Sequence, residues 1–325
     1  MTASFRRIDY SLRPAKHAER KMLCDVFRRL WPFGAVENYL YVGFGSVWFS
    51  DFTIFHRALG IRDMISIEQA AGAAKRIEAN KPFKIDIDFR ASNHVLPELD
   101  WERKAFLWLD YDDPLSTDML LDVQTVANRA QSGTVLVVSV QCHRSPMIAE
   151  AERERASDAT AIDAVERFRQ LFGRDRVPSS LFDDDLIGWP YGALSRSMLL
   201  AEIEKTLAAR NGMPDQADMR SEVVCEFEYE DGAKMTTLVV VFYEDADANK
   251  VSDCGFAQMD FLKAGSKLVR IPVPKLTVKE FRQLEQQLPL AAGTALDCGE
   301  IPPGEASQFA EMYRYLPNFA VIEGS

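Results

Sequence analysis

Apolar and polar positions follow two alternating rhythms through the first 142 residues. Short apolar runs at Tyr39–Val42, Met64–Ile67, Ala105–Leu109 and Gly133–Cys142 read as buried strands, the last of them long and β-branched. Helical spacing separates them: Ser50–Gly60 turns Phe52, Phe55 and Leu59 to one side, and Ala70–Ala79 and Leu115–Ala130 follow the later strands. Phe83–Phe89 alternates Ile85, Asp86, Ile87 and Asp88 and predicts a third strand in chain order. Strand–helix alternation of this kind predicts an α/β fold, a parallel sheet wrapped by helices. Ligands of such sheets sit at the carboxyl ends of the strands, which would gather Gly43, Glu68, Asp88 to Ser92 and Asp110 to Asp113.

The rhythm then changes. Two helices are expected at Ile148–Phe172 and Leu194–Asn211, with the loop RVPSSLFDDDLIGWPYG between them. Glu222–Tyr229 and Met235–Tyr243 flank Asp231-Gly232, a strong hairpin signal. Beyond Asp245 come the Pro-flanked IPVPK, a helix Val278–Leu288 capped by Thr277, and a last helix Glu305–Tyr315. Upstream, Ala15–Leu30 reads as an amphipathic helix resting on the core through Met22, Leu23, Val26, Phe27 and Leu30, with its arginines in solvent. The resulting division is an N-terminal helical segment (1–38), an α/β domain (39–245) with a helical insertion (146–218), and a C-terminal extension (246–325).

The richest stretch is Tyr39–Glu68. A strand runs into Gly43-Phe44-Gly45-Ser46, and the next strand ends on Glu68. A small-residue turn lets backbone approach a ligand, and a carboxylate at the neighbouring strand tip accepts hydrogen bonds from ribose hydroxyls. A dinucleotide fingerprint would need a third glycine where this chain has Trp48, and no G-x-x-x-x-G-K-[ST] occurs. A ligand with a ribose and no phosphates to cradle fits better. The competing reading is that Gly43 and Gly45 only make a tight strand-to-helix turn.

At these residues the sequence resembles the class I S-adenosylmethionine-dependent methyltransferases. VGFGS resembles their first motif, SIEQ their acidic second motif, and AAGAAKRIEANKPF the helix leading to their third strand. The similarity runs in motif order from about Tyr39 to Cys142, with further support to Asp245. It implies a Rossmann-like sheet, mostly parallel with a terminal antiparallel hairpin, and S-adenosyl-L-methionine as cofactor. It places Gly43, Phe44, Gly45 and Ser46 against the methionine part and Glu68 on the ribose. Asp88 or Ser92 would meet the adenine amino group, although Asp86 and Asp88 equally suit the solvent face of an edge-like strand. In LDYDDP, Asp110, Tyr111 and Asp112 are the catalytic candidates, with Asp110 also near the cofactor. Methyl transfer is an in-line displacement in which the enzyme aligns nucleophile and methyl group, and a base helps only where the acceptor loses a proton. Amino-methyltransferases acting on bases carry [DNS]-P-P-[YFW] at this place; here stands Asp112-Asp113-Pro114-Leu115, which favours oxygen as acceptor. No metal is expected, because acid clusters at strand ends are more often solvated turns.

Composition bounds the rest. The 325 residues are 47% apolar and 27% charged, ordinary for a globular enzyme, and no apolar run reaches membrane-spanning length. Five scattered cysteines without a C-x-x-C suit reduced thiols in a cytoplasm, and four scattered histidines show no metal-ligand spacing. A net charge of −11 disfavours general nucleic-acid binding, apart from the basic N-terminal segment with Arg6, Arg7, Arg13, Lys16, Arg20, Lys21, Arg28 and Arg29. Small-molecule, protein and RNA acceptors all stay open, as does oligomerisation. YSLRPAKHAER, FDDDLIGWPYG and YRYLPNF are the loops that could read an acceptor or simply pack a cap onto the sheet. Two other functions are compatible: a non-catalytic adenosyl- or nucleotide-binding module that keeps the fold, and an NAD dehydrogenase, against which Trp48 and the hairpin both speak.

Overall fold

The structure is a computed structural model, described here for residues 13–156, 162–214, 217–291 and 294–317. Arg6 and Arg7 of the basic segment and Asn318 of YRYLPNF lie outside the described residues.

Eight strands form one sheet: β1 (Leu40–Gly43), β2 (Asp63–Ile67), β3 (Asp86–Asp88), β4 (Ala105–Pro114), β5 (Val135–Gln141), β6 (Met219–Glu230), β7 (Lys234–Glu244) and β8 (Leu268–Arg270). Their order is β3-β2-β1-β4-β5-β7-β6-β8, and only β7 runs against the rest, pairing antiparallel with both β5 and β6. This is the Rossmann-like, mostly parallel sheet with an antiparallel hairpin that the resemblance implies. Asp231-Gly232 makes the reversal, and Gly232 takes a φ of +88°, which a residue with a Cβ rarely adopts.

Helices cover both faces. On one lie α1 (Pro14–Arg28) and α2 (Ser50–Leu59), packed on Tyr39, Tyr41, Phe106, Trp108 and Val239. A short α3 (Ala74–Ala79) and α4 (Ser92–Val95) follow β2 and β3. On the opposite face α5 (Thr117–Arg129) packs against α8 (Gly188–Asn211), over Leu107, Leu109, Val138, Val240 and Phe242. Two shorter helices, α6 (Pro146–Arg155) and α7 (Ala164–Phe172), stand where one long helix is expected from the spacing; each has its own serine or aspartate N-cap, Ser145 and Asp163. Helices α9 (Ala248–Cys254), α10 (Val278–Glu285) and α11 (Pro303–Met312) complete the chain, and Thr277 with Glu280 forms a capping box on α10. Both faces are apolar because the central strands are buried on both sides, so β5 (VLVVSVQ) is mostly valine and leucine, with Ser139 the buried polar exception.

Several boundaries shift. β4 extends to Pro114, so LDYDDP is strand and not a loop beyond its tip; Pro114 pairs with Gln141 after a register shift. Helix α8 starts at Gly188, six residues early, which makes GWPYG its first turn. The edge strand β8 is not legible in the sequence. The amphipathic reading of α1 also needs correcting. Met22, Leu23, Val26 and Phe27 do face the core, but Arg13, Lys16, Glu19 and Arg20 are buried as well, while Arg28 stays exposed.

No helix among the described residues is long and apolar enough to cross a membrane. All five cysteines are free thiols.

Candidate active site

The turn after β1 is built by close approach. A Cβ on Gly43 would stand 2.5 Å from the Tyr41 hydroxyl and 3.2 Å from a carboxylate oxygen of Asp51. One on Gly45 would strike the Phe49 ring and sit 2.9 Å from the Ser66 hydroxyl. Neither glycine is chosen for its φ; each is needed because the next layer of side chains lies directly beneath it. The strain falls instead on Ser46 and Phe49, at φ of +50° and +45°, a region non-glycine residues rarely enter. Phe49 is wholly buried, and its N–H donates to the Gly45 carbonyl at 2.7 Å, so packing holds the turn in place.

Glu68 closes this turn from the tip of β2. Its Oε1 accepts the Ser46 N–H at 2.5 Å and the Ser66 hydroxyl at 2.9 Å, while Ser66 Oγ accepts the Gly45 N–H at 3.0 Å. The side chain is buried at 7% exposure and turned toward the bend, while Trp48 is 38% exposed. Burial pushes the Glu68 carboxyl up to about 7, against the opposing pull of its Ser66 and Ser46 hydrogen bonds. Ser66 is a participant the sequence reading missed; its position one residue before the strand's end is the available signal.

The other predicted residues divide into two groups by strand alternation. Asp110 lies on the α1 face, where its Oδ1 accepts from Lys16 Nζ at 2.6 Å. The same ammonium meets Glu19 at 2.8 Å and stands 4.3 Å over the Trp108 ring. Glu19 accepts from Thr237, Thr237 and Ser139 share a hydrogen bond at 2.8 Å, and Trp108 Nε1 donates to Ser139 at 3.0 Å. A buried polar chain therefore links α1 to β4, β5 and β7.

Tyr111 points to the opposite face. Its hydroxyl donates to Asp122 at 2.6 Å, Ser92 donates to the same carboxylate oxygen at 2.5 Å, and the Tyr111 ring packs edge-on against Phe44. The structure thus separates Tyr111 from Asp110 and joins it to Ser92. Burial raises the Asp122 carboxyl, with the Ser92 and Tyr111 hydroxyls pulling the other way. Asp88 is paired bidentately with Arg90, at 2.9 and 2.7 Å, and those bonds hold its carboxyl below the usual range; its main-chain carbonyl accepts the Glu68 N–H at 2.9 Å. Gln141 donates to the Asp112 carbonyl at 3.3 Å. No group of three or more His, Cys, Asp or Glu side chains that could hold a metal ion occurs among the described residues.

Of the loops singled out for acceptor reading, two converge on the ligand end of the sheet. The Lys16 N–H donates to Asp231 of the hairpin turn at 2.9 Å. Gly188 meets the end of β5 through the His143 carbonyl, and the Trp189 ring lies 5.1 Å from Lys234 Nζ and 5.0 Å from the Arg270 guanidinium. The C-terminal loop packs farther along α1: Tyr315 donates to Asp25 at 3.0 Å, and Arg314 pairs with Asp260.

Solved structures with similar coordinates include Trm1 from Pyrococcus horikoshii in complex with S-adenosyl-L-methionine, at 12% identity and TM-score 0.40 over 73% of this chain and 58% of that one. The sugar N-methyltransferase KedS8 from Streptoalloteichus matches at 16% identity and TM-score 0.30, over 40% of this chain and 49% of that one. An S-adenosylmethionine-dependent methyltransferase from Clostridium acetobutylicum matches at 10% identity and TM-score 0.37, over 73% of this chain and 93% of that one. The chain thus spans about half the length of the first two. No curated protein matches. A family model described as "Putative O-methyltransferase" matches residues 8–324. With nearly its whole length covered by that model, the chain belongs to this family of methyltransferases.

Proposed function

We propose that the chain binds S-adenosyl-L-methionine on the Gly43–Ser46 turn and directs its methyl group to an acceptor oxygen. The observation that carries the binding half is the Glu68 carboxylate, buried against the turn with both of its hydrogen bonds on Oε1. Oε2 is thereby left for the ribose hydroxyls. The fit is to a ribose without phosphates: the Gly45 and Ser46 N–H groups of the turn are already spent on Ser66 and Glu68. The cofactor supplies the electrophilic methyl group. The chain's own residues bind it, exclude water, and set the acceptor in line.

Asp110 at the β4 edge is the residue we assign to the acceptor. Lys16 fixes Oδ1, which leaves Oδ2 to orient an acceptor hydroxyl and take its proton. The family description and Asp112-Asp113-Pro114-Leu115, which departs from the pattern for base amines, support oxygen. Tyr111 and Ser92 serve Asp122 in this reading, and Asp88 and its carbonyl hold the β2–β3 tips. We also keep residues 146–218 as an insertion and 246–325 as an extension around the 39–245 domain, with Trp189 and the hairpin turn on the acceptor side.

Incubation with tritium-methyl-labelled cofactor and fractionated cell extract tests the acceptor. Oxygen-linked label that Asp110→Asn abolishes is expected. Label recovered on nitrogen or carbon contradicts the oxygen assignment.

A further inference from the structure

An apolar groove of about 610 Å³ lies in the C-terminal extension, and none of its lining residues belongs to the turn after β1 or to β4. Val273, Pro274, Leu276, Val278, Phe281 and Leu316 supply its apolar surface. The Phe281 ring packs edge-on against Phe309 of α11, with centroids 4.9 Å apart, so the groove has a fixed floor. Val278, the first residue of α10 after its Thr277 cap, is nevertheless 51% exposed. An apolar hollow edged by a half-exposed valine marks a surface that something covers. Lys275, Arg282 and Glu285 also line it. Among the described residues the Lys275 and Arg282 side chains make no hydrogen bond and no ion pair; the Lys275 main-chain N–H donates to Glu305 at 2.6 Å.

The chain itself supplies the occupant. Leu316, on the groove wall, is held in place because its carbonyl accepts from Lys21 of α1 at 3.1 Å. Pro317 follows, and then Asn318–Ser325, which lie outside the described residues. Their sequence, NFAVIEGS, places four apolar residues (Phe319 to Ile322) ahead of one acid, Glu323. Four residues span roughly 13 Å when extended, so this run reaches across the groove from its own wall. Glu323 then brings a charge opposite to those of Lys275 and Arg282. We propose that residues 318–325 dock in this groove, with Phe319 to Ile322 on its apolar surface and Glu323 beside the two cations. A tether of one residue gives the segment a high effective concentration there, so an outside partner meets a surface already taken. The inference is independent of any cofactor.

Thermal melting of the full chain tests this through Val278→Asp. On an open surface that change is neutral or stabilising, because a carboxylate in the first turn favours a helix and would stand four residues before Arg282. Under a docked segment it buries a charge against apolar side chains, and the midpoint should fall by about 3 °C or more. Phe319→Asp with Ile322→Asp vacates the groove. In that background Val278→Asp should lower the midpoint by less than about 1 °C, since residues in contact do not act additively. Val278→Ser repeats the cycle with a smaller loss should Val278→Asp not fold. A wild-type midpoint in Val278→Asp overturns the proposal, and so does an equal loss in both backgrounds. Sedimentation showing a wild-type dimer that Val278→Asp dissociates also overturns it, because the occupant would then be a second copy.

Discussion

The Ser46 N–H donates to Glu68 Oε1 at 2.5 Å, tying the strained turn after β1 to the tip of β2. Ser46 holds a left-handed backbone there, which costs on the order of 1–3 kcal/mol and persists only where surroundings enforce it. The charge that receives this bond is itself buried, so the bend and its acid depend on one another.

That dependence gives a pH signature. The folded Glu68 carboxyl titrates at about 7, above its ordinary 4.5, so protonation favours folding. Its contribution is full below about 4.5 and is lost as pH rises through about 7, to a maximum of about 3 kcal/mol. Glu68→Gln should therefore gain stability relative to the wild type between pH 5 and 8, read from urea midpoints at each pH. A constant difference would contradict it.

Binding should show the opposite slope. Ribose hydroxyls are donors to Glu68, so the charged form binds and affinity for S-adenosylhomocysteine should rise about tenfold from pH 6 to pH 8. In Glu68→Gln the profile should be flat. Titration calorimetry at fixed ionic strength reads both.

Gly45→Ala drives a methyl into the Phe49 ring and the Ser66 hydroxyl. Overpacking of this kind costs about 1–3 kcal/mol. Thermal melting should show a lowered midpoint, and S-adenosylhomocysteine affinity should fall with it. Gly72→Ala, whose added Cβ meets nothing within 4 Å, is the control and should melt as the wild type does.

Asp110 and Tyr111 are adjacent yet should behave differently. Asp110→Asn should lower kcat by about 100-fold, as loss of a general base does, and leave S-adenosylhomocysteine binding nearly intact. Tyr111→Phe removes one buried hydrogen bond to Asp122, so it should cost about 1 kcal/mol of stability and change kcat by less than about twofold. A large kcat loss in Tyr111→Phe would return the tyrosine to the reaction.

Lys16 Nζ bridges Asp110 and Glu19. Lys16→Met leaves Glu19 buried without its partner and should destabilise the fold by about 3–5 kcal/mol. Denaturant unfolding measures this, and a loss under about 1 kcal/mol would mean that the pair is not buried as described.

The sheet was legible because its signals are local. Apolar runs, helical spacing and Asp231-Gly232 each act within a few residues, and the mostly parallel sheet with an antiparallel hairpin that they predict is found. The strand β8 was not, because three residues with only Val269 buried acquire their role from pairing with β6 some forty positions away. The buried charges of α1 failed for the same reason. Met22, Leu23, Val26 and Phe27 announce an apolar stripe, but the partners of Lys16 and Glu19 arrive from β4 and β7, so nothing near them in the chain distinguishes them from solvent-facing charges. At the candidate site, Gly43, Gly45 and Glu68 were visible as a spacing, whereas Ser66 and Asp51 are defined only by what the fold lays beside them.

Titration of the intact protein with S-adenosylhomocysteine tests most directly whether this bend holds an adenosyl ligand by its ribose. Saturable one-to-one binding is predicted, weakened about 10- to 100-fold by Glu68→Ala, as expected for losing hydrogen bonds to a charged acceptor. No heat of binding from the wild-type protein, or an affinity that Glu68→Ala leaves untouched, would contradict it.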